Sequence, residues 1–125
     1  MSKKPRTVLI VDDDAAVRSA LKFALEVEGY NVRLYPGPEA LLADADLPRC
    51  GCLVVDYRMP VMDGLELIET LRKRHVAMPA ILITGRANNE LRRLAARSGA
   101  LQVLEKPLSD GALVEGIRQA LATCG

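Results

Sequence analysis

The stretch LVVDYRMPVMDG (residues 53–64) combines an uninterrupted apolar run, an aspartate at its end and a turn that leads into a helix. The run Leu53 to Val55 suits a strand covered on both faces, because central strands of parallel sheets are apolar on both sides. Asp63 is expected to cap the following helix, with Glu66 three residues later completing a capping box. Asp56 is thereby placed directly after a central strand.

Short apolar runs of the same kind alternate with segments of helical periodicity along the rest of the chain, which predicts five strand–helix units. The predicted strands are Thr7 to Val11, Asn31 to Tyr35, Cys52 to Val55, Ala80 to Thr84 and Leu101 to Leu104. The predicted helices are Ala15 to Glu28, Pro38 to Ala45, Gly64 to His75, Asn88 to Ser98 and Asp110 to Thr123.

The apolar content of each strand indicates its place in the sheet. Strands 1, 3 and 4 are continuously apolar and should be central, whereas strand 2 alternates and strand 5 carries Gln102, so both should be edges. Right-handed crossovers then favour a doubly wound α/β fold, a five-stranded parallel sheet in the order 2-1-3-4-5 with helices on both faces. Gly29 and Gly99 are expected to end the first and fourth helices in the left-handed conformation.

Composition limits the classes of protein. The 125 residues, 50% of them hydrophobic, suffice for one packed domain spanning 1–125. Because 17 Lys and Arg nearly cancel 16 Asp and Glu, no global charge draws the chain to nucleic acid or membrane. The basic start MSKKPRT precedes an apolar run, Val8 to Val11, that is too short for a signal peptide or a membrane span. We therefore expect a cytoplasmic protein.

The three cysteines, Cys50, Cys52 and Cys124, form no CxxC pair, and any pairing leaves one over. Two thiols one residue apart also lack the further ligands of a closed metal site. We interpret all three as buried or incidental thiols in a reducing compartment.

The residues with chemical potential all follow apolar strands. They are Asp12, Asp13 and Asp14 after strand 1, Asp56 after strand 3, Thr84 at the end of strand 4 and Lys106 after strand 5. The carboxyl ends of parallel strands meet at one edge of the sheet, which is where such folds bind ligands.

Clustered carboxylates repel one another unless a cation offsets their charge. Mg²⁺ suits this set, because it prefers oxygen ligands and needs only one or two carboxylates beside phosphate oxygens and water. We predict Asp13 and Asp56 as direct ligands, Asp12 as a ligand through water, and the backbone carbonyl of Arg58 as the remaining protein ligand.

The same residues could transfer a phosphoryl group. Asp56 would attack an activated phosphoryl group and form an acyl phosphate. Thr84 would donate a hydrogen bond to the phosphoryl oxygens, and Lys106 would supply a compact positive charge. Such catalysis is positioning plus charge stabilisation and needs no separate general base.

The motifs LIVDDD, VVDYRMPVMDG, LITG and EKP, in this order and spacing, resemble the receiver domains of bacterial response regulators, the CheY-like family. The short motifs RMP, ITG and EKP are most similar to those of the nitrogen-fixation regulator (FixJ-type) branch. The resemblance implies a two-component phosphorelay with a histidine kinase or histidine phosphotransfer protein as donor. It also implies a cis peptide at Lys106-Pro107 and an output partner that reads the fourth and fifth helices.

The chain departs from the family's pattern at Val103, where receivers commonly carry Tyr or Phe. An aromatic ring that follows the hydroxyl of Thr84 cannot operate here, so smaller groups would have to carry the coupling to the fourth helix. In the family's geometry Arg58 and Arg86 flank the path of the attacking water, and we expect them to tune the lifetime of the phosphoryl group.

Several residues have plain structural explanations. Asp14 and Asp63 are interpreted as helix caps, and His75 as a positive end to the third helix. The arginines of the fourth helix form either a solvated face or a partner surface; they are Arg86, Arg92, Arg93 and Arg97. Direct binding of nucleic acid is disfavoured, because only 3% of residues are aromatic.

Three functions remain open on the sequence. The chain could be a stand-alone receiver, the regulatory half of a transcription factor, or a phosphatase with an Asp nucleophile. The phosphatase is disfavoured because Arg58 stands where those enzymes usually carry a second Asp. No G-x-G-x-x-G turn or Ser-His-Asp set is present, so we expect no enzymatic activity beyond self-phosphorylation and self-dephosphorylation.

Overall fold

The computed structural model describes residues 6–122, except the side chain of Asp110. The strands are β1 (Thr7–Val11), β2 (Asn31–Tyr35), β3 (Gly51–Asp56), β4 (Ala80–Thr84) and β5 (Gln102–Glu105). The helices are α1 (Ala15–Val27), α2 (Pro38–Ala43), α3 (Gly64–Lys73), α4 (Asn89–Ser98) and α5 (Asp110–Ala122). The basic start over 1–5, Thr123 and Cys124 lie outside the described residues.

The five strands form one parallel sheet in the order β2-β1-β3-β4-β5, as the apolar pattern predicted. Every residue of β1, β3 and β4 is buried, whereas β2 and β5 are largely half-buried. The central and edge positions inferred from composition are therefore confirmed.

Alternate residues of the central strands feed two separate cores. Leu9 and Val11 face α2, α3 and α4, whereas Val8 and Ile10 face α1 and α5. The apolar stripe of α5 lies in the second core and consists of Leu113, Ile117, Ala120 and Leu121. Since side chains alternate between the faces of a strand, this division is what a sheet covered on both sides requires.

Helix ends follow the expected caps. Gly29 and Gly99 have φ angles of 94° and 97°, as predicted. Asp63 and Glu66 form the capping box of α3. Asn88, predicted as the first residue of α4, is instead its N-cap and accepts the N–H of Leu91 over 2.8 Å. These contacts satisfy backbone groups that the first turn of a helix leaves without partners.

Three helices end earlier than predicted, and α1 does so by one residue, because Glu28 is its C-cap. α2 stops before Asp44, because the carboxylate of that residue accepts the hydroxyl of Tyr35 and lies 3.6 Å from the guanidinium of Arg33. α3 stops at Lys73, since Arg74 is its C-cap and His75 adopts a left-handed φ of 64°. His75 is thus past the helix end. These tertiary contacts and local backbone geometry have no periodic signal in the sequence.

The cysteines differ from one another. Cys52 is a buried free thiol, and burial raises its pKa to about 12. Cys50 is disulfide-bonded, so the prediction of an incidental thiol is wrong at this position. Spacing along the chain does not report which thiols meet in space, which is why the bond was missed. Within residues 6–122, no helix has the length and apolar character that crossing a membrane requires.

Candidate metal and phosphoryl site

Three strand ends converge at the carboxyl edge of the sheet. Asp12 follows β1, Asp56 ends β3 and Thr84 ends β4, and all three are buried. Carboxylate oxygens of Asp12, Asp13 and Asp56 lie within 4.8 Å of one another. The Nζ atom of Lys106 lies 3.3 Å from Oδ1 of Asp56. The structure thus brings together the acidic residues and the lysine that the sequence singled out.

Asp12 is held by hydrogen bonds to its carboxylate and to its backbone carbonyl. One of its carboxylate oxygens accepts the N–H of Asp14 over 2.9 Å, and its carbonyl accepts the guanidinium of Arg18 over 2.7 Å. Asp14 itself points away and caps α1, accepting the N–H groups of Ala16 and Val17. The capping interpretation of Asp14 is confirmed, and Arg18 is a supporting residue that the sequence gave no reason to select.

The cluster carries more negative than positive charge. Burial, and then the nearby charge of Asp12, raise the pKa of Asp56, while Lys106 lowers it. Burial also raises the pKa of Asp12, although the N–H of Asp14 and the charge of Lys106 oppose that effect. One ammonium faces three carboxylates, so a divalent cation with oxygen preference would fit this donor set.

The turn after β3 holds Asp56 close against the neighbouring strand. The N–H of Tyr57 donates to the carbonyl of Ile83, and the N–H of Gly64 donates to the carbonyl of Tyr57, both over 2.8 Å. A Cβ atom on Gly64 would lie 2.7 Å from the carbonyl oxygen of Asp56. Glycine is therefore required where α3 begins beneath the acidic cluster.

The hydroxyl of Thr84 is turned into the following loop. It donates to the carbonyl of Arg86 over 3.2 Å and accepts the N–H of that residue over 3.3 Å. The N–H of Lys106 donates to the carbonyl of Thr84 over 2.8 Å, and the peptide between Lys106 and Pro107 is cis, as expected. The ends of β4 and β5 are thereby held side by side at the cluster.

Arg58 lies in the turn two residues after Asp56 and lines two shallow clefts beside the cluster. The first has a volume of about 400 Å³ and includes Met59 and Pro60. The second, of about 340 Å³, also includes Thr84 and Arg86. The two arginines that the sequence associated with the phosphoryl group therefore line the same cleft as the threonine.

Comparison with known proteins identifies the class. A family model, the response regulator receiver domain, matches residues 8–118. Transcriptional regulatory protein FixJ of Rhizobium meliloti (strain 1021) is 40% identical over 114 residues, which cover 91% of this chain and 56% of that protein. The C4-dicarboxylate transport transcriptional regulatory protein DctD of Pseudomonas aeruginosa is 40% identical over 121 residues, which cover 91% of this chain and 25% of that protein.

Solved structures agree with this result. The crystal structure of FixJ-N is 38% identical, has a TM-score of 0.87 and is matched over 96% of both chains. A CheY-like receiver domain protein from Methanospirillum hungatei JF-1 is 31% identical, with a TM-score of 0.86 and 96% coverage of both chains.

The chain belongs to the response regulator receiver domain family, the signal-receiving domains of two-component systems. Its similarity to FixJ agrees with the branch that the sequence motifs indicated. The chain spans about half the length of FixJ and about a quarter of the length of DctD.

Proposed function

We propose that the chain is a phosphorylation switch in which Asp56 accepts a phosphoryl group from a histidine kinase or a histidine phosphotransfer protein. The observation that carries the proposal is the arrangement around Asp56, whose carboxylate lies beside two further carboxylates and 3.3 Å from the ammonium of Lys106. A nucleophile between a cation site and a fixed lysine suits phosphoryl transfer, where catalysis is mostly charge stabilisation and positioning.

The acidic cluster is the proposed site of Mg²⁺. Asp13 and Asp56 would bind the ion directly, Asp12 through water, and the backbone carbonyl of Arg58 would complete the protein ligands. When bound, the ion neutralises carboxylate charge and polarises the phosphoryl oxygens. Asp13 is exposed, whereas Asp12 and Asp56 are buried, so the ion would enter the site from solvent on the side of Asp13.

In the proposed reaction a carboxylate oxygen of Asp56 attacks phosphorus and an O–P bond forms. The P–N bond to the donor histidine breaks, and the imidazole leaves with the electron pair. Lys106 balances the negative charge of the phosphoryl oxygens, and Thr84 donates a hydrogen bond to one of them. Hydrolysis of the acyl phosphate by water resets the switch, with Arg58 and Arg86 proposed to set its rate from the cleft they share.

We also propose what the chain acts on, where in the cell it works and which partners it binds. The chain would act on no substrate other than its own phosphorylation and dephosphorylation. It would work in the cytoplasm, signal to an output protein through α4 and α5, and bind neither a membrane nor nucleic acid directly. The near-neutral charge of +1 supports local protein contacts over binding to polyanions.

A second candidate is the regulatory half of a transcription factor. It is favoured by one observation: the chain matches about half of FixJ, a protein named as a transcriptional regulator. The reading frame downstream of Gly125 distinguishes the two. A continuing frame that encodes a DNA-binding domain supports the second candidate, whereas a stop codon supports a stand-alone receiver.

The chemistry is tested by incubating the protein with phosphoramidate, a small P–N donor, in Mg²⁺ and in chelator. Intact mass should show one added phosphoryl group in Mg²⁺ only. Asp56→Asn should show none, while Asp14→Asn, which keeps the helix cap outside the cluster, should behave as the parent. Phosphorylation of Asp56→Asn at the parent's rate would exclude the proposal.

A further inference from the structure

Two side chains hold the β4–α4 loop, residues 85–88. The hydroxyl of Thr84 binds both the N–H and the carbonyl of Arg86. A carboxylate oxygen of Glu105, the last residue of β5, accepts the N–H of Ala87 over 3.1 Å. Two successive residues of the loop are therefore fixed by a hydroxyl from β4 and a carboxylate from β5.

The sheet places these two side chains on the same side. Thr84 and Glu105 are register partners in the parallel pair of β4 and β5. Since register partners direct their side chains to the same face, the carboxylate reaches the loop from the side of the hydroxyl. The next residue, Lys106, contacts Asp56. The end of β5 thus supplies one cation to the acidic cluster and one anion to the neighbouring loop.

The loop is also continuous with the start of α4. Asn88 caps the helix by accepting the N–H of Leu91 over 2.8 Å. The guanidinium of Arg92 donates to the carbonyl of Val103 on β5 over 3.2 Å. A displacement of the loop relative to β5 must therefore strain or break contacts in the first turn of α4.

The hydroxyl of Thr84 has a single proton to donate. In the structure this proton is directed to the carbonyl of Arg86. If the hydroxyl instead donates its hydrogen bond to a phosphoryl oxygen on Asp56, the carbonyl of Arg86 loses this donor. The oxygen of Thr84 can still accept the N–H of Arg86, and the carboxylate of Glu105 still accepts the N–H of Ala87, so the loop then depends more strongly on Glu105 for its place against the sheet.

We propose that Glu105 is a positioning residue that acts through Ala87: it holds the β4–α4 loop so that the hydroxyl of Thr84 is oriented, and it carries the response of that hydroxyl into α4. The second half of the proposal rests on phosphorylation of Asp56, as proposed above. The first half concerns the protein before phosphorylation and stands independently.

The first test uses amide hydrogen exchange of the unphosphorylated protein by NMR. In Glu105→Ala the amide of Ala87 should exchange about tenfold faster, because a charged acceptor is lost. Glu105→Gln, which keeps an oxygen acceptor, should restore most of the protection. The control is Glu115→Ala on α5, which removes an exposed glutamate paired with Arg118. Unchanged exchange of Ala87 in Glu105→Ala would overturn the positioning role.

The second test adds acetyl phosphate and Mg²⁺ to the same samples and measures phosphorylation by mass. Glu105→Ala should be phosphorylated more slowly than the parent, because the hydroxyl of Thr84 is less well oriented. When the phosphorylated fractions are matched, its amide shifts over residues 89–98 should be less than about half of the parent's. A full response of these amides would refute the coupling role. Absence of phosphate on the parent would contradict the function of Asp56 instead, and the exchange experiment would still decide the role of Glu105.

Discussion

Removal of one buried carboxylate should make the metal-free protein more stable. The perturbation is Asp12→Asn, which keeps an oxygen to accept the N–H of Asp14 and removes a negative charge beside Asp56. Two unit charges 4.8 Å apart, the upper limit within the cluster, repel by about 3.5 kcal/mol at an effective dielectric constant of 20. Lys106 and solvent offset much of this energy, so we expect a gain of about 1 to 2 kcal/mol in the free energy of unfolding.

The assay is thermal unfolding in chelator and in Mg²⁺. In chelator, Asp12→Asn should melt about 4 to 8 °C above the parent. In Mg²⁺ this difference in melting temperature should become smaller or change sign. The parent has one more carboxylate at the ion site, so binding of the ion stabilises it more. The control Asp46→Asn carries the same charge change outside the cluster and should match the parent in both conditions. Equal melting of Asp12→Asn and the parent in chelator would refute the reasoning.

Three further predictions follow from the same geometry. Asp13→Asn should lose most of the rise in melting temperature that Mg²⁺ gives the parent, and equal rises would count against Asp13 as a ligand. In chelator, the free energy of unfolding should increase as pH falls from neutral toward the raised pKa values of Asp12 and Asp56. The reason is that the folded protein binds protons in this range, whereas the carboxyl groups of the unfolded chain, with pKa values near 3.8, do not. Chemical denaturation at several pH values would show this rise, which should vanish in the double variant Asp12→Asn/Asp56→Asn. Gly64→Ala should lose about 1 to 3 kcal/mol in urea titrations, since its Cβ atom would lie 2.7 Å from the carbonyl oxygen of Asp56; Gly37→Ala, with no atom within 4 Å of the new Cβ, is the control and should lose less.

The sheet and its functional edge could be predicted because their signals are local and repeated. A fully buried parallel strand needs an apolar residue at each position, so the runs before Asp12 and Asp56 identify central strands by composition alone. The capping box of Asp63 and Glu66 is likewise a short-range pattern that fixes where α3 begins. Convergence at the carboxyl edge then follows from topology, and the distances within the cluster agree with it.

Contacts between distant segments could not be predicted in this way. The early end of α2 depends on Asp44 meeting Tyr35 from β2. The disulfide at Cys50 depends on spatial proximity that sequence spacing does not report. The link from Glu105 to the loop joins residues 18 positions apart, and a glutamate before Lys106 has no property that distinguishes it from a solvated charge. Such side-chain contacts emerge only when the strands are placed side by side.

Val103 is a position where the sequence prediction and the contacts in the structure bear on the same question. The sequence indicated that no aromatic side chain is available on β5 to follow the hydroxyl of Thr84. In the structure Val103 is half-buried and packs against the core below α4, and its carbonyl accepts Arg92. Polar ties at Arg92 and Glu105 join β5 to α4 and its preceding loop, and the proposed coupling passes through them.

The central claim is that Asp56 is the single phosphoryl acceptor. The most direct measurement is peptide mapping by mass spectrometry after reaction with a small phosphodonor in Mg²⁺, with borohydride reduction used to mark the acyl phosphate. We expect one acid-stable, base-labile phosphate, located on Asp56 and dependent on Mg²⁺. A phosphate on any other residue of the parent protein, or one that forms equally well in chelator, would contradict it.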